Sequence, residues 1–304
     1  MTPLAFLLVL GSAGLHATWN MIAKRSGASL AFYALLGTVG AVWSSGVRFF
    51  TPLGFFSQPP EFHAWLVGML AGELCYARGL FLSYRSLDMS AAYPMMRSIP
   101  LVLLAAITAL FGFGKPLGPH ALAGMAMVFG GCLAIPLHRF SDFRLSRYLD
   151  RNFGYVFLVA LGTTAYTLCD SQAQRVMIEA AEAAGTAVSK PVVSLTYYSF
   201  RAVTLASVLW ILVLGGRGSR AEAAALWRRR SWMPLVAGCC SSLTYVLVLV
   251  AMNFVTNVAY VQAFRQIGLL FGLLEGVFVL KERCTAPKLL GTLLILAGLA
   301  VSVL

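Results

Sequence analysis

The residues of this sequence that could do chemistry are ionisable and amide side chains set inside long apolar runs. A charged group in such surroundings costs several kcal/mol unless water or a partner solvates it, so each one marks a candidate site. The basic ones are Arg78, Arg97, Arg201 and Arg265, the acids are Glu73, Asp170 and Glu275, and His16 is the histidine set well inside a run. Tyr93 and Arg97 are four residues apart and share a helix face, while Pro94 and Pro100 each remove a backbone donor and loosen the helix around them. Gln262, Arg265 and Gln266 repeat that polar face, and Tyr260 opens it as Tyr93 opens the other. Guanidinium forks beside a loosened helix suit a carboxylate or phosphate, with glutamines and tyrosines orienting the rest of a solute. The alternative is that both arginines, within about two turns of a run end, extend their stems to lipid headgroups.

Three further sets complete the candidates. His16, Trp19 and Asn20 stand at i, i+3 and i+4 and form one polar and aromatic stripe expected to face a cavity. Alternatively, Trp19 belongs to an interfacial aromatic belt and Asn20 hydrogen-bonds to another helix. Tyr166 and Asp170 make a similar i, i+4 pair, with ion pairing of Asp170 as the plainer reading. Glu73 lies near the middle of its run, where desolvation would protonate a lone carboxylate and allow it to carry a proton. A structural pair with Arg78 or Arg97 is the alternative. Glu275 lies toward the end of its run, within reach of Lys281.

The elements that must position these groups follow from composition. With 59% hydrophobic and 11% charged residues there is too little polar surface to coat a soluble globule, so lipid must solvate most of the outside. A helix needs about 20 apolar residues to cross the hydrocarbon. Ten runs approach that length, near residues 3–22, 29–49, 63–84, 90–113, 117–137, 153–177, 193–215, 233–253, 258–280 and 286–304. The first has no basic region before it and no small-residue cleavage site ahead of Lys24 and Arg25, so it reads as a retained helix. The fold class expected is an all-α membrane protein of ten transmembrane helices.

The formal charge of +12 raises nucleic acid as a partner, but the bases sit in short loops and form no continuous face. Fifteen lie in loops after odd-numbered runs and four in the others. By the positive-inside rule the odd loops face the cytoplasm and both termini lie outside. The cysteines fall mostly in apolar runs with no CxxC spacing, so neither a metal site nor a disulfide framework is expected. No HExxH, GxSxG or GxxxxGK[ST] pattern occurs, so no catalytic residue, enzyme activity or cofactor is expected.

An internal repeat organises the chain. Sliding by 167 residues superposes Ala92-Tyr93 on Ala259-Tyr260, Gly124 on Gly291 and Gly131 on Gly298 without a gap, and sliding by 151 pairs Leu10-Gly11-Ser12 with Leu161-Gly162-Thr163. Arg97 and Arg265 miss the first offset by one residue. Residues 1–137 and 153–304 thus read as two five-helix repeats joined by the polar linker 138–152, HRFSDFRLSRYLDRN. An odd number of spans per repeat makes the second inverted with respect to the first.

LHATWNMIAKRS at the close of the first run, AYPMMRSIPLVLL in the fourth and VLKERCTAPKLLGTLLILAGLAVSVL at the end resemble the EamA family of the drug/metabolite transporter superfamily. The resemblance covers nearly the whole chain. It implies export or bidirectional permeation of small metabolites, amino acids prominent among them, through a central cavity lined by spans of both halves. It also implies cytoplasmic termini, against the loop count. Small multidrug members bind cations on a glutamate in the first span, where this chain has His16 and no acid. The function expected is a secondary transporter of small polar, carboxylate-bearing solutes in a bacterial inner membrane, working by alternating access with proton coupling through Glu73. Cation efflux, or a flippase or channel on the same scaffold, is the alternative. Spacing names neither the solute nor the oligomeric state.

Overall fold

The computed structural model of the chain describes all residues except 1, 26–28, 87–88, 136, 145–152, 230–231, 275–284 and 303–304. Most of the linker and Glu275 therefore lie outside the described residues. Among those described, every regular element is helical: α1 (Pro3–Arg25), α2 (Leu30–Ser45), α3 (Pro60–Ser86), α4 (Met89–Phe111), α5 (Pro119–Ala134), α6 (Phe153–Ala183), α7 (Lys190–Gly215), α8 (Arg217–Arg228), α9 (Met233–Met252), α10 (Val258–Phe264), α11 (Ile267–Leu274) and α12 (Ala286–Val301). Proline stands at the first or second position of α5, α7, α9 and α12, where its missing N–H is no loss. Inside the helices hydroxyls turn back on carbonyls one turn earlier, as Thr38 does on Ala34 and Thr164 on Ala160, at 2.8 Å each. Polar side chains are hidden this way from apolar surroundings.

Five helical stretches are long and apolar enough to cross a bilayer: Leu30–Phe49, Pro60–Ser83, Phe153–Ala183, Lys190–Gly215 and Met233–Met252. They point to a membrane protein. Shorter apolar helices occupy Pro3–His16, Met95–Phe111, Pro119–Ala134 and Ala286–Val301. Two sequence expectations need correction. The fourth run is a continuous helix through Pro94 and Pro100, whereas the ninth, expected to be one helix over 258–280, is broken between α10 and α11.

The chain forms two compact units that do not follow its halves. The first comprises Met1–Phe6, Val67–Asp170 and Phe254–Leu304, and the second Leu7–Leu66 and Ser171–Asn253. In the first, α5 and α12 cross antiparallel through glycines. A Cβ on Gly131 would lie 2.6 Å from the Gly291 carbonyl oxygen, and one on Gly298 would lie 2.6 Å from that of Gly124. Helix backbones meet this closely only where side chains are absent. In the same unit α3 crosses α6 on Gly72, Gly79 and Gly162, and Met96 of α4 joins Val156 and Val159 of α6 in an apolar cluster. At the end of α4, Gly114 has φ of 95°, which L side chains rarely adopt, and lets Lys115 donate its N–H to the Thr256 carbonyl at 2.9 Å. That bond ties the end of α4 to the start of α10.

In the second unit α2 lies against α7 and α9. Trp43 donates through Nε1 to Ser242 of α9 and Trp210 of α7 donates to Thr38, both at 2.8 Å. The α5 and α12 crossing yields a paired test. Gly131→Leu is expected to lower thermal stability by at least the ~1–3 kcal/mol of an overpacked core. Gly130→Leu, whose Cβ meets nothing within 4 Å, should be tolerated. Thermal midpoints in detergent for the two variants check this.

Candidate functional site

The break between α10 and α11 falls on Arg265 and Gln266, two of the residues singled out by spacing. The ladder there tightens from i−4 to i−3: the N–H of Gln266 donates to Ala263, that of Gly268 to Arg265 and that of Leu269 to Gln266, at 3.0, 3.1 and 2.9 Å. The carbonyl of Gln262 thereby loses the donor a continuous helix would supply, while that of Arg265 takes the Gly268 N–H and keeps a lone pair open. An unmet buried carbonyl costs about 1–3 kcal/mol, and side chains meet the first and add a second donor to the other. Gln266 Nε2 donates at 3.0 Å to the Gln262 carbonyl, and Arg97 Nη2 of α4 donates at 3.1 Å to the Arg265 carbonyl. Gln266 Nε2 also donates at 3.0 Å to the Arg97 carbonyl. The two helices thus clasp each other, each by a side chain on the other's backbone.

The clasp leaves part of each group's bonding capacity unused. Gln266 and Gln262 are 0% and 3% exposed. Their Oε1 atoms, with Arg97 Nε, are buried and have no hydrogen-bond partner among the described residues. One guanidinium edge and two amide oxygens on neighbouring helices can take a molecule that offers an acceptor to the first and donors to the others. The structure brings together Arg97, Gln262, Arg265 and Gln266, all in the first unit. The side chain of Tyr93 lies outside the described residues.

Tyr166 and Asp170 are both buried on α6, and the Tyr166 ring meets Tyr76 of α3 edge-on at 5.9 Å. Glu73 is half-buried on α3, next to the Gly72 contact with α6. His16 and Trp19 belong to the second unit, where they bind each other: Trp19 Nε1 donates to His16 Nδ1 at 3.1 Å, with the rings edge to face at 5.2 Å. Trp19 also packs on the cluster of Phe32, Leu36 and Ala237. The side chain of Asn20 lies outside the described residues.

Two polar features of the second unit went unassigned in the sequence. Asn253 Nδ2 donates to Gln174 Oε1 at 2.9 Å and to Ser194 Oγ at 2.8 Å, while Lys190 Nζ donates to the Asn253 carbonyl at 3.1 Å. Arg201 is 5% exposed and lies 4.1 Å over the Tyr245 ring, a cation held by an aromatic face. Both join residues far apart in sequence, and helical spacing holds no signal for such pairs.

The architecture recurs in a solved structure. A crystal structure described only as "Crystal structure of protein" is similar over 98% of this chain and 96% of its own, with a TM-score of 0.63 and 16% identity. At that identity the likeness concerns the fold alone. No family model and no curated protein matches the chain.

The clasp predicts a stability effect. Gln266→Leu orphans the Gln262 carbonyl and removes a second donor from the Arg97 carbonyl, and should cost about 1–3 kcal/mol. Gln266→Glu keeps the shape but removes the donating amide and should lose as much or more. Denaturation of the two variants beside wild type checks both.

Proposed function

We propose that the protein is a membrane carrier of small polar solutes bearing a carboxylate, amino acids foremost, and that it has ten spans in two inverted repeats of the EamA kind. The observation that carries the reading is the broken helix at Arg265–Gln266 clasped to Arg97. Irregular backbone inside an apolar region is tolerated where protein buries it or where it lines a polar cavity, and carriers place their sites at such interruptions. Arg97 comes from the first half of the chain and Gln262 to Gln266 from the second, as a site at the meeting of two repeats requires.

The glycine crossing supports the inverted repeat. If two segments are related by a twofold axis, a contact between residue i and the equivalent of j implies one between j and the equivalent of i. Gly298 is the equivalent of Gly131, and Gly291 that of Gly124, at the offset of 167. Gly124 meets Gly298 and Gly131 meets Gly291, so the reciprocal pair is present and antiparallel.

In this mechanism the solute carboxylate approaches Arg97 at Nε. A side-on bidentate pair uses Nε and Nη2 together, so the carboxylate competes with the Arg265 carbonyl for Nη2. Binding therefore loosens the clasp and frees the break to change shape, which links occupancy to alternating access. An ammonium or amide on the solute supplies donors for the Gln262 and Gln266 oxygens. Glu73 is the coupling residue of this reading, taking up and releasing a proton in step with the cycle.

Thermal shift of the purified protein in detergent tests the site, because a ligand at 100 times its Kd stabilises by about 2.7 kcal/mol. Amino acids and small carboxylates are expected to raise the midpoint, and Arg97→Ala to weaken binding about 10- to 100-fold, the worth of a charged hydrogen bond. If quaternary amines alone shift the midpoint, the anion site is wrong and cation efflux replaces it. For coupling, transport by Glu73→Gln in proteoliposomes should lose the pH dependence of wild type. An unaltered profile removes Glu73 from the mechanism.

A further inference from the structure

Between the span of α7 and that of α9 lies α8, twelve residues long. At about 1.5 Å per residue it reaches about 18 Å, too short to cross a bilayer. It leaves α7 after Gly216, and Ser219 Oγ fixes the corner by donating to the Val213 carbonyl at 2.9 Å. Its inner side is marked by Leu226, which packs on the cluster of Phe32, Leu36 and Ala237 beneath it. Half a turn away, Arg217, Arg220 and Arg228 share the outer face at helical spacing, and all three are exposed. Among the described residues none of the three guanidinium groups has a hydrogen bond or ion pair, although Glu222 stands on the same helix. Arg229 continues the charge past the end of the helix.

The surroundings place this face at a particular depth. Ile211, Leu212 and Leu214 at the end of α7 are exposed, as are Met233, Leu235 and Val236 at the start of α9. These are the lipid-facing edges of two spans. Trp227 in the last turn of α8 and Trp232 at the start of α9 are 79% and 72% exposed, as indoles at the headgroup level are. A helix at that level with guanidinium groups and an exposed tryptophan outward, and a second tryptophan just past its end, has the chemistry of an interfacial anchor for anionic lipid.

We infer that α8 binds the phosphate headgroups of anionic phospholipids, with Arg217, Arg220 and Arg228 as the recognition residues. The inference rests on the chain's spanning a membrane and is independent of what the protein carries. A guanidinium fork takes a phosphate oxygen pair directly, and a net negative lipid supplies the charge that a zwitterionic one cancels with its own ammonium.

The test is a titration of the full-length protein in detergent with phosphatidylglycerol and with phosphatidylcholine of the same acyl chains, read as bound lipid by native mass spectrometry. Each arginine near an anionic surface is worth about fivefold, so the wild type should prefer phosphatidylglycerol roughly 10- to 100-fold. The triple variant Arg217→Gln, Arg220→Gln, Arg228→Gln should lose most of that preference. Replacing the same three by lysine should retain much of it and shows that the variants still fold. Free glycerol phosphate at equal concentration should displace little lipid. The inference is overturned if the glutamine variant keeps the wild-type preference, if phosphatidylcholine binds as tightly, or if glycerol phosphate competes as well as the lipid.

Discussion

Carbonyl groups released from a helical ladder where water is excluded must find donors from the protein itself, and this requirement organises the region around Arg97. The turn at Arg265 and Gln266 releases that of Gln262 and leaves that of Arg265 on the Gly268 N–H alone. Gln266 takes the first with its own amide, Arg97 of α4 gives the second a further donor, and the same Gln266 amide reaches back to the Arg97 carbonyl. Both hydrogens of that amide are thereby committed to backbone. What the helix break consumes is donors, and what it leaves is acceptors, namely the amide oxygens of Gln262 and Gln266, beside one free guanidinium edge. The polarity of the region is a by-product of closing the backbone, and the proposed solute is one that brings donors along with its acid.

Close approach of helices is the second condition. The antiparallel crossing of α5 and α12 brings backbone against backbone at Gly124, Gly131, Gly291 and Gly298. Neither helix could come so near with a methyl group at those positions. Away from the glycines, hydroxyls fold back onto their own helices, and indole N–H groups reach across to Ser242 and Thr38. Helices in an apolar solvent gain little from burying more apolar surface, so such contacts and close packing carry their association.

Much of this was legible from the residues. The length and spacing of apolar runs announced helices, and the five long enough to cross a bilayer all fall on expected runs. Arg97, Gln262, Arg265 and Gln266 were marked by polarity in apolar surroundings and by a shared face, and they do lie together. The break was not foreseen, because proline was read as the sign of a loosened helix. Pro94 and Pro100 sit inside an unbroken α4, whereas the interruption at Arg265–Gln266 has no proline and depends on a side chain from another helix. The stripe of His16 and Trp19 was correctly read as contiguous, but its members bind each other. Arg201 on Tyr245 and Asn253 on Gln174 were invisible for a related reason. Pairs joined across helices leave no periodic trace in one strand of text.

The length of α6 has a practical consequence. Its 31 residues extend about 46 Å at 1.5 Å per residue, well beyond a hydrocarbon layer of about 30 Å. The excess falls at its last turns, where Arg175 and Glu179 are paired at 2.8 Å with half of each side chain in solvent. These turns are packed in protein on one side, through Gln174, Val176, Met177 and Ala181, and present Arg175 and Glu179 on the other. An antibody fragment raised against that exposed helical strip would bind an epitope backed by packed protein and supply the fiducial that particle alignment of so small a protein needs.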